Sequence, residues 1–387
     1  MSTDLDILVP LLQRLIRIDS RNPGLDPDGP GELELARFVD DLLGSWGWET
    51  ELWELGNRRA NVVARWAGAG TGPSLMINVH LDTVGVAGMQ DPFAGEFRDG
   101  KVFGRGSQDT KGGMAAVLAM ARAIAEEGLR LDGELVLAFV ADEEHESIGT
   151  TALLERVRTD AAIVIEPSDL GVVIGHRGFG IFRVETIGKM AHGGRPDLGV
   201  DANLHMAQVL VEVDRLRQHW STRQSHPALG HPSLHVPVLS GGRHLFVYAD
   251  SCHANVECRS IPGQTRDEVH GELQATLDRV RGTVVGLEAT VEPLMWRPPH
   301  EIDPRRPVVR AALAAVERVT GCAGRVAHHA WWEDSGLLGE AGIDTVVLGP
   351  TGGGLHAEVE WVDVDSIVHL TDILRRTAVA YCGLRKS

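Results

Sequence analysis

Short apolar runs of strand length alternate along this chain with longer segments of helical periodicity, and several of the runs lead directly into histidine or carboxylate residues. Strand-like runs occur at 60–66, 74–79, 134–140, 161–165 and 344–348. Helical spacing occurs at 33–44, 114–127, 151–157, 308–319 and 365–381, and near the start at Leu5, Leu8, Leu11, Leu12, Leu15 and Ile16. This alternation predicts an α/β fold built on a mixed, largely parallel sheet covered on both faces. With 387 residues there is more chain than one core comfortably organises. The texture changes near Gly178: strand-like 179–187, helical 199–218, strand-like 233–239 and 247–259, helical 266–281, and strand-like 284–292. That is the β-α-β-β-α-β order of a ferredoxin-like α+β unit. The expected organisation is one domain of residues 1–177 and 295–387, interrupted by an inserted domain of residues 178–294.

Composition narrows the partners. Lys plus Arg is 37 against 54 for Asp plus Glu, a net charge of −17, so the long-range field repels phosphate backbones and anionic lipid. Neither a nucleic-acid nor a membrane partner is expected. No segment approaches the ~18–20 unbroken apolar residues of a membrane helix. The opening MSTDLDILVP is acidic where a secretory signal is basic, so a cytoplasmic location is expected. The four cysteines, Cys252, Cys258, Cys322 and Cys382, form no C-x-x-C pair and read as buried free thiols. Histidine is plentiful at 17 and, with carboxylates, supplies oxygen and nitrogen donors for metals.

Five segments at or just after predicted strand ends carry the chemistry, and strand ends are where α/β sheets bind ligands. MINVHLDTV places His80 and Asp82 on one strand face, where a carboxylate can support an imidazole. GRGSQDTKGG surrounds Asp109 with glycines; it lacks the glycine that a phosphate-binding G-x-x-x-x-G-K-[ST] requires before Lys111. FVADEEHES sets Asp142, Glu143 and Glu144 side by side, and adjacent like charges repel unless a cation, a shared proton or a helix N-terminus relieves them. Glu166 ends the run AIVIE, and His356 follows Gly349 and Pro350 in VVLGPTGGGLHAEVEWV. Each segment alone also reads as ordinary surface or structural polarity. Together they supply two imidazoles and three carboxylates to one edge, an inventory that fits two zinc ions joined by a shared carboxylate. Glu143 remains as a spare carboxylate and the natural general base for a metal-bound water.

In these motifs the chain resembles the co-catalytic zinc hydrolases that include acetylornithine deacetylase, succinyl-diaminopimelate desuccinylase, aminoacylases and glutamate-type carboxypeptidases. The likeness spans nearly the whole chain: H-L-D at His80, GRGSQDTKGG, D-E-E at Asp142, E-P-S at Glu166, GKMAHGGRPDLGVDAN at 188–203, and GPTGGGLHAEVEW. The resemblance implies that Asp109 bridges two metal ions. His80 and Glu166 would complete one site and Glu144 and His356 the other, with Asp82 behind them and Glu143 as base. It implies a cis peptide between Asp109 and Thr110. It also implies that the insert is a dimerisation lid whose His192 reaches the partner subunit's site and stabilises the oxyanion. The metals would be zinc, with cobalt or manganese able to occupy the same ligands.

Glutamate at 166, by the same resemblance, favours N-acyl or carboxypeptidase-like substrates over aminopeptidase ones. Arg259 of ECRSIPG matches the family's carboxylate-binding arginine, and Gly353 of the GPTGGG turn is a further expected substrate contact. The chain departs from the family in GGRHLFVYADSC: Phe246 replaces an asparagine and Ala249 a proline. A phenyl ring in place of an amide removes a hydrogen bond and adds apolar surface, which argues against strict acetylornithine or succinyl-diaminopimelate chemistry. Arg177 of GHRG could hold a substrate carboxylate or serve as a hinge ion pair, and Trp331 and Trp332 could line a pocket or the core.

The expected activity is hydrolysis of the amide of an N-acyl amino acid or dipeptide-like substrate by a homodimer. A carboxypeptidase or dipeptidase is the alternative. A non-catalytic metal-binding protein would lack a ligand or the base, and none is missing. A serine hydrolase would show G-x-S-x-G after a strand, and none occurs.

Overall fold

Every residue of the strands Leu75–His80, Leu135–Val140 and Ala161–Val164 is buried, as apolar runs in a parallel sheet covered on both faces require. The computed structural model describes residues 2–223 and 225–385, and the side chains of residues 2–6 lie outside the description. The chain forms two compact units: residues 1–174, 302–327 and 333–387, and residues 175–301 with 328–332.

In the first unit the sheet runs in the order Glu49–Gly56, Arg59–Trp66, Leu135–Val140, Leu75–His80, Ala161–Val164, Asp344–Val347 and then Val172–His176. The four strands from Leu135–Val140 to Asp344–Val347 are mutually parallel, and their outer neighbours pair antiparallel, so the sheet is mixed and largely parallel. Leu75, Ile77 and Val79 point to one face, into a core with the helices Ser2–Arg17, Leu33–Ser45, Gly112–Glu127, Pro307–Thr320 and Val364–Cys382. Met76, Val136, Ala138 and Ala162 point to the other, against Leu153 and Leu338. In the opening helix Leu8, Leu12, Leu15 and Ile16 are buried, and Leu5 lies outside the described side chains. The strands Glu49–Gly56 and Val172–His176 escaped the sequence reading; the first is half exposed, with no apolar run to mark it.

One close approach positions the loop at Asp109. A Cβ on Gly113 would fall 2.2 Å from Ile165 Cγ2, so glycine lets the start of the helix Gly112–Glu127 lie against the chain just before Glu166.

The second unit is a four-stranded antiparallel sheet in the order Ser233–Gly241, Ser251–Ser260, Gly178–Ile187, Glu288–Arg297. With the helices Ala202–Trp220 and Arg266–Arg281 between strands, this is the ferredoxin-like order. Both helices begin at side-chain caps. Asp201 accepts from the Asn203 and Leu204 N–H groups, so the first helix starts at 202 and not at Gly199, and Thr265 with Glu268 forms a capping box for the second. Strand Gly178–Ile187 alternates buried and half-buried residues, and Phe182 and Val184 enter a core with Met206, Val209, Val256 and Leu273. Cys252, Cys258 and Cys382 are buried free thiols; Cys322 is exposed, because it follows the helix Pro307–Thr320 in a surface turn, and this corrects the expectation that all four are buried.

The register makes a sharp prediction. Val184→Asp puts an unpaired charge in the core and should cost roughly 2–5 kcal/mol in urea unfolding, whereas Glu185→Lys should stay within about 0.5 kcal/mol. Equal shifts for the two would contradict the alternation.

Candidate metal centre

Parallel strands deliver their carboxyl ends to one edge, and the register decides which residues meet there. His80 is the last residue of its strand and pairs in register with Val140, so the loop that follows Val140 opens beside it. Asn78 pairs with Val164, which brings Glu166 to the other side of His80. His356 arrives from the loop after Asp344–Val347, the strand next to Ala161–Val164. Asp109 comes from the loop before the helix Gly112–Glu127, and the Asp109–Thr110 peptide is cis. Thr110 Oγ1 donates to the Ile165 carbonyl at 3.1 Å, tying this loop to the residue before Glu166.

Asp109 divides its carboxylate between two imidazoles. Its Oδ1 lies 3.0 Å from His80 Nε2 and its Oδ2 3.2 Å from His356 Nε2. Each imidazole nitrogen also faces a second carboxylate: Glu166 Oε1 at 3.4 Å from His80 Nε2, and Glu144 Oε2 at 3.2 Å from His356 Nε2. Glu143 joins the group of His80 and Glu166. The expected ligands His80, Asp109, Glu144, Glu166 and His356, and the expected base Glu143, are therefore neighbours in space.

Asp82 is buried behind them. The His80 Nδ1 nitrogen is 3.0 Å from the Asp82 backbone carbonyl and 3.5 Å from its Oδ1. The carboxylate's shorter contacts are with the Asn22 amide at 2.7 Å and with the N–H groups of Glu143 and Glu144 at 3.1 and 3.2 Å. Asp82 thus fixes the D-E-E loop as well as the imidazole. Asn22 also donates to Asp142, which pairs with the buried Arg59. Asn22 and Arg59 escaped the sequence reading, because each is a lone polar residue far along the chain from the motifs.

The fit of this cluster to cations rests on its spacing and its unsatisfied oxygens. Ligand bonds of about 2.0–2.2 Å at tetrahedral angles put neighbouring donor atoms about 3.4 Å apart. The four contacts of 3.0–3.4 Å across Asp109, Glu144, Glu166 and the two imidazoles lie near that spacing. Glu144 Oε1 and Glu166 Oε1 are buried without a hydrogen-bond partner among the described residues. The proton affinities of these groups are displaced from their ordinary values. Hydrogen bonds to Asp109 and Glu144 push His356 up to about 10, and burial followed by the Asp109 charge pushes Glu144 up to about 7. Burial raises Glu143 and Glu166 well above the usual carboxylate range. Burial opposes the charge on Asp109, but hydrogen bonds with His356 and His80 hold it well below its ordinary value. Burial opposes protonation of His80, yet Glu166 and Asp109 raise it well above the usual imidazole value.

The other expected site residues have different surroundings. His192 is exposed in the second unit, its Nδ1 accepting from the Gly194 N–H at 3.0 Å. Phe246 is also exposed there, and its carbonyl accepts from the Gly193 N–H at 2.8 Å, so the His192 and Phe246 segments run side by side. Arg259 pairs with Glu257 at 2.6 Å and lies over the Phe179 ring. Arg177 donates to the Leu229 carbonyl, and burial with the nearby Arg259 lowers its pKa. Trp331 stacks on His329 and is half exposed; Trp332 donates to the Pro298 carbonyl. Gly353, in the first unit, pairs with Trp361.

Comparison with known proteins places this geometry among hydrolases. The sequence pattern of peptidase family M20/M25/M40 matches residues 76–380. The chain is 29% identical over 385 residues to N-formyl-4-amino-5-aminomethyl-2-methylpyrimidine deformylase of Bacillus subtilis, covering 91% of this chain and 90% of that protein. It is 28% identical over 399 residues to acetylornithine deacetylase of Myxococcus xanthus, covering 100% of both. The crystal structure of aminopeptidase PepT from Bacillus cereus superposes with a TM-score of 0.78 at 18% identity, over 97% of this chain and 98% of that one, a likeness of fold.

Cation binding to this cluster must displace protons, so affinity should fall as the pH drops below about 10, where His356 binds a proton, and fall further below about 7, where Glu144 does. Calorimetry at pH 7 in buffers of different ionisation enthalpy should show release of at least about two protons per chain on saturation with zinc. Binding without proton release would contradict this arrangement.

Proposed function

Because this chain belongs to peptidase family M20/M25/M40, we propose that it is a hydrolase of small N-acyl compounds, N-acyl amino acids among them, working with two divalent metal ions. The observation that carries the reading is the division of Asp109 between His80 and His356, each backed by its own glutamate. In this reading His80 and Glu166 would hold one ion and Glu144 and His356 the other, with Asp109 serving both. Zinc suits the mixed nitrogen and oxygen donors, and cobalt or manganese could use them too. Bound there, the ions would supply Lewis acidity, acidifying water and polarising an amide carbonyl.

The chain's own groups do the rest. Glu143, half-buried and with its proton affinity raised, is matched to accept a proton from water and return it to the departing amine. Asp82 keeps that base in place through the Glu143 N–H. His192 is the proposed oxyanion donor, reaching a partner subunit's site from the inserted unit. A second copy of the chain would dock on that unit's edge strand Ser233–Gly241, whose outer side has no strand neighbour among the described residues, and on the adjoining helix face with exposed Leu204 and Val211. Arg259, Arg177, Phe246 and Gly353 are proposed to shape the substrate side.

Support for an acyl substrate comes from the names of the relatives, a deformylase and a deacetylase, and from Phe246, which offers apolar surface where the family resemblance expects an amide. A panel of N-formyl and N-acetyl amines and amino acids, assayed against dipeptides with saturating metal, tests it. Acyl substrates should have the higher kcat/KM by about tenfold or more; higher values for dipeptides would favour the peptidase reading.

Glu143→Ala should bind metal normally and lose about 10²–10⁴-fold in kcat. Near-normal turnover would remove Glu143 as the base. Equal mixing of Glu143→Ala and His192→Ala chains should restore about a quarter of the wild-type rate, because each mixed dimer regains one intact site. No recovery on mixing would remove the shared site.

A further inference from the structure

The two cation positions of the proposed centre are not held alike. His80 ends a central strand, and Glu166 follows the next strand by two residues, so the first pair stands on rigid, hydrogen-bonded sheet. Glu144 and His356 both come from loops. His356 has φ 57°, a left-handed conformation that is uncommon for a residue with a side chain.

Beside it lies a buried ion pair that neither the motif reading nor the proposed mechanism uses. Arg105 and Glu360 are 3% and 1% exposed, and Arg105 Nη1 lies 2.7 Å from Glu360 Oε2. Glu360 accepts three further bonds, all from the Asp109 loop: Gly106 N–H at 2.9 Å, Gln108 N–H at 2.9 Å and Asp109 N–H at 3.0 Å. Arg105 donates its other bonds to the Ala357 carbonyl, next to His356, at 3.1 Å and to the Gly85 carbonyl at 2.9 Å. One pair therefore joins the backbone at Asp109 to the backbone at His356.

The geometry points to Arg105 and Glu360 as positioning residues that set the affinity of the Glu144–His356 cation position by fixing His356 against Asp109, while the His80–Glu166 position shares only the Asp109 loop with them. The inference rests on the two-ion reading above. Partners behind metal ligands typically govern about 10–100-fold in metal affinity, and here the effect should fall mainly on one ion of two.

Zinc titration calorimetry on the whole chain, with metal counting after dialysis, tests this. Wild type should take up two ions. Glu360→Gln should weaken one ion about 10–100-fold and the other by much less. Arg105→Lys, which keeps a charge beside Glu360 but gives up the bond to Ala357, should do the same and serves if Glu360→Gln does not fold. In a His356→Ala background, Glu360→Gln should weaken the remaining ion by much less than that. Equal weakening of both ions, or of neither, would overturn the positioning role while leaving the two-ion reading intact. A wild-type chain that takes up fewer than two ions would overturn both.

Discussion

Buried like charge is the constraint on which this molecule turns. Asp109, Glu143, Glu144 and Glu166 converge at one edge of a parallel sheet, in surroundings dry enough to raise three of the four carboxyl groups far above their ordinary range. Such a cluster is tolerable only if protons or cations neutralise it. Neighbouring carboxylates, against the effect of burial, raise the proton affinity of both imidazoles, and one oxygen each of Glu144 and Glu166 has no hydrogen-bond partner among the described residues. The function follows from that unsatisfied charge more directly than from the fold, since the same sheet architecture supports many chemistries.

Around the cluster the polar network is built to resist collapse. Asp82 spends its carboxylate on the backbone of the D-E-E loop and on Asn22; Asn22 links it to Asp142, and Asp142 to Arg59. On the opposite flank Glu360 receives three backbone N–H groups and a guanidinium. Charged groups buried in this way are expensive to strand singly, so the networks specify one arrangement of the loops.

Much of this was legible in the chain. Apolar runs at 74–79, 134–140 and 161–165 became buried strands, because a strand covered on both faces needs no polar alternation, and residues 179–187 alternated because the inserted sheet buries one face. The segments holding His80, Asp109, Glu143, Glu144, Glu166 and His356 stood out as charged residues at the ends of apolar runs or among glycines. Asn22, Arg59, Arg105 and Glu360 did not stand out. A lone asparagine or arginine looks the same in sequence whether it is solvated or buried. The half-exposed strand Glu49–Gly56 and the surface turn at Cys322 were missed for the same reason: local pattern does not report on what covers it.

The sequence by itself determined the element types and the donor inventory, because hydrophobic periodicity and residue chemistry are local properties. Only the tertiary structure decided how those donors are shared: Asp109 between two histidines, Asp82 behind the loop of Glu143 and Glu144, and Glu360 across to the Asp109 backbone. Those contacts join segments up to 251 positions apart, and strand register and loop closure, which set them, are properties of the whole packed chain.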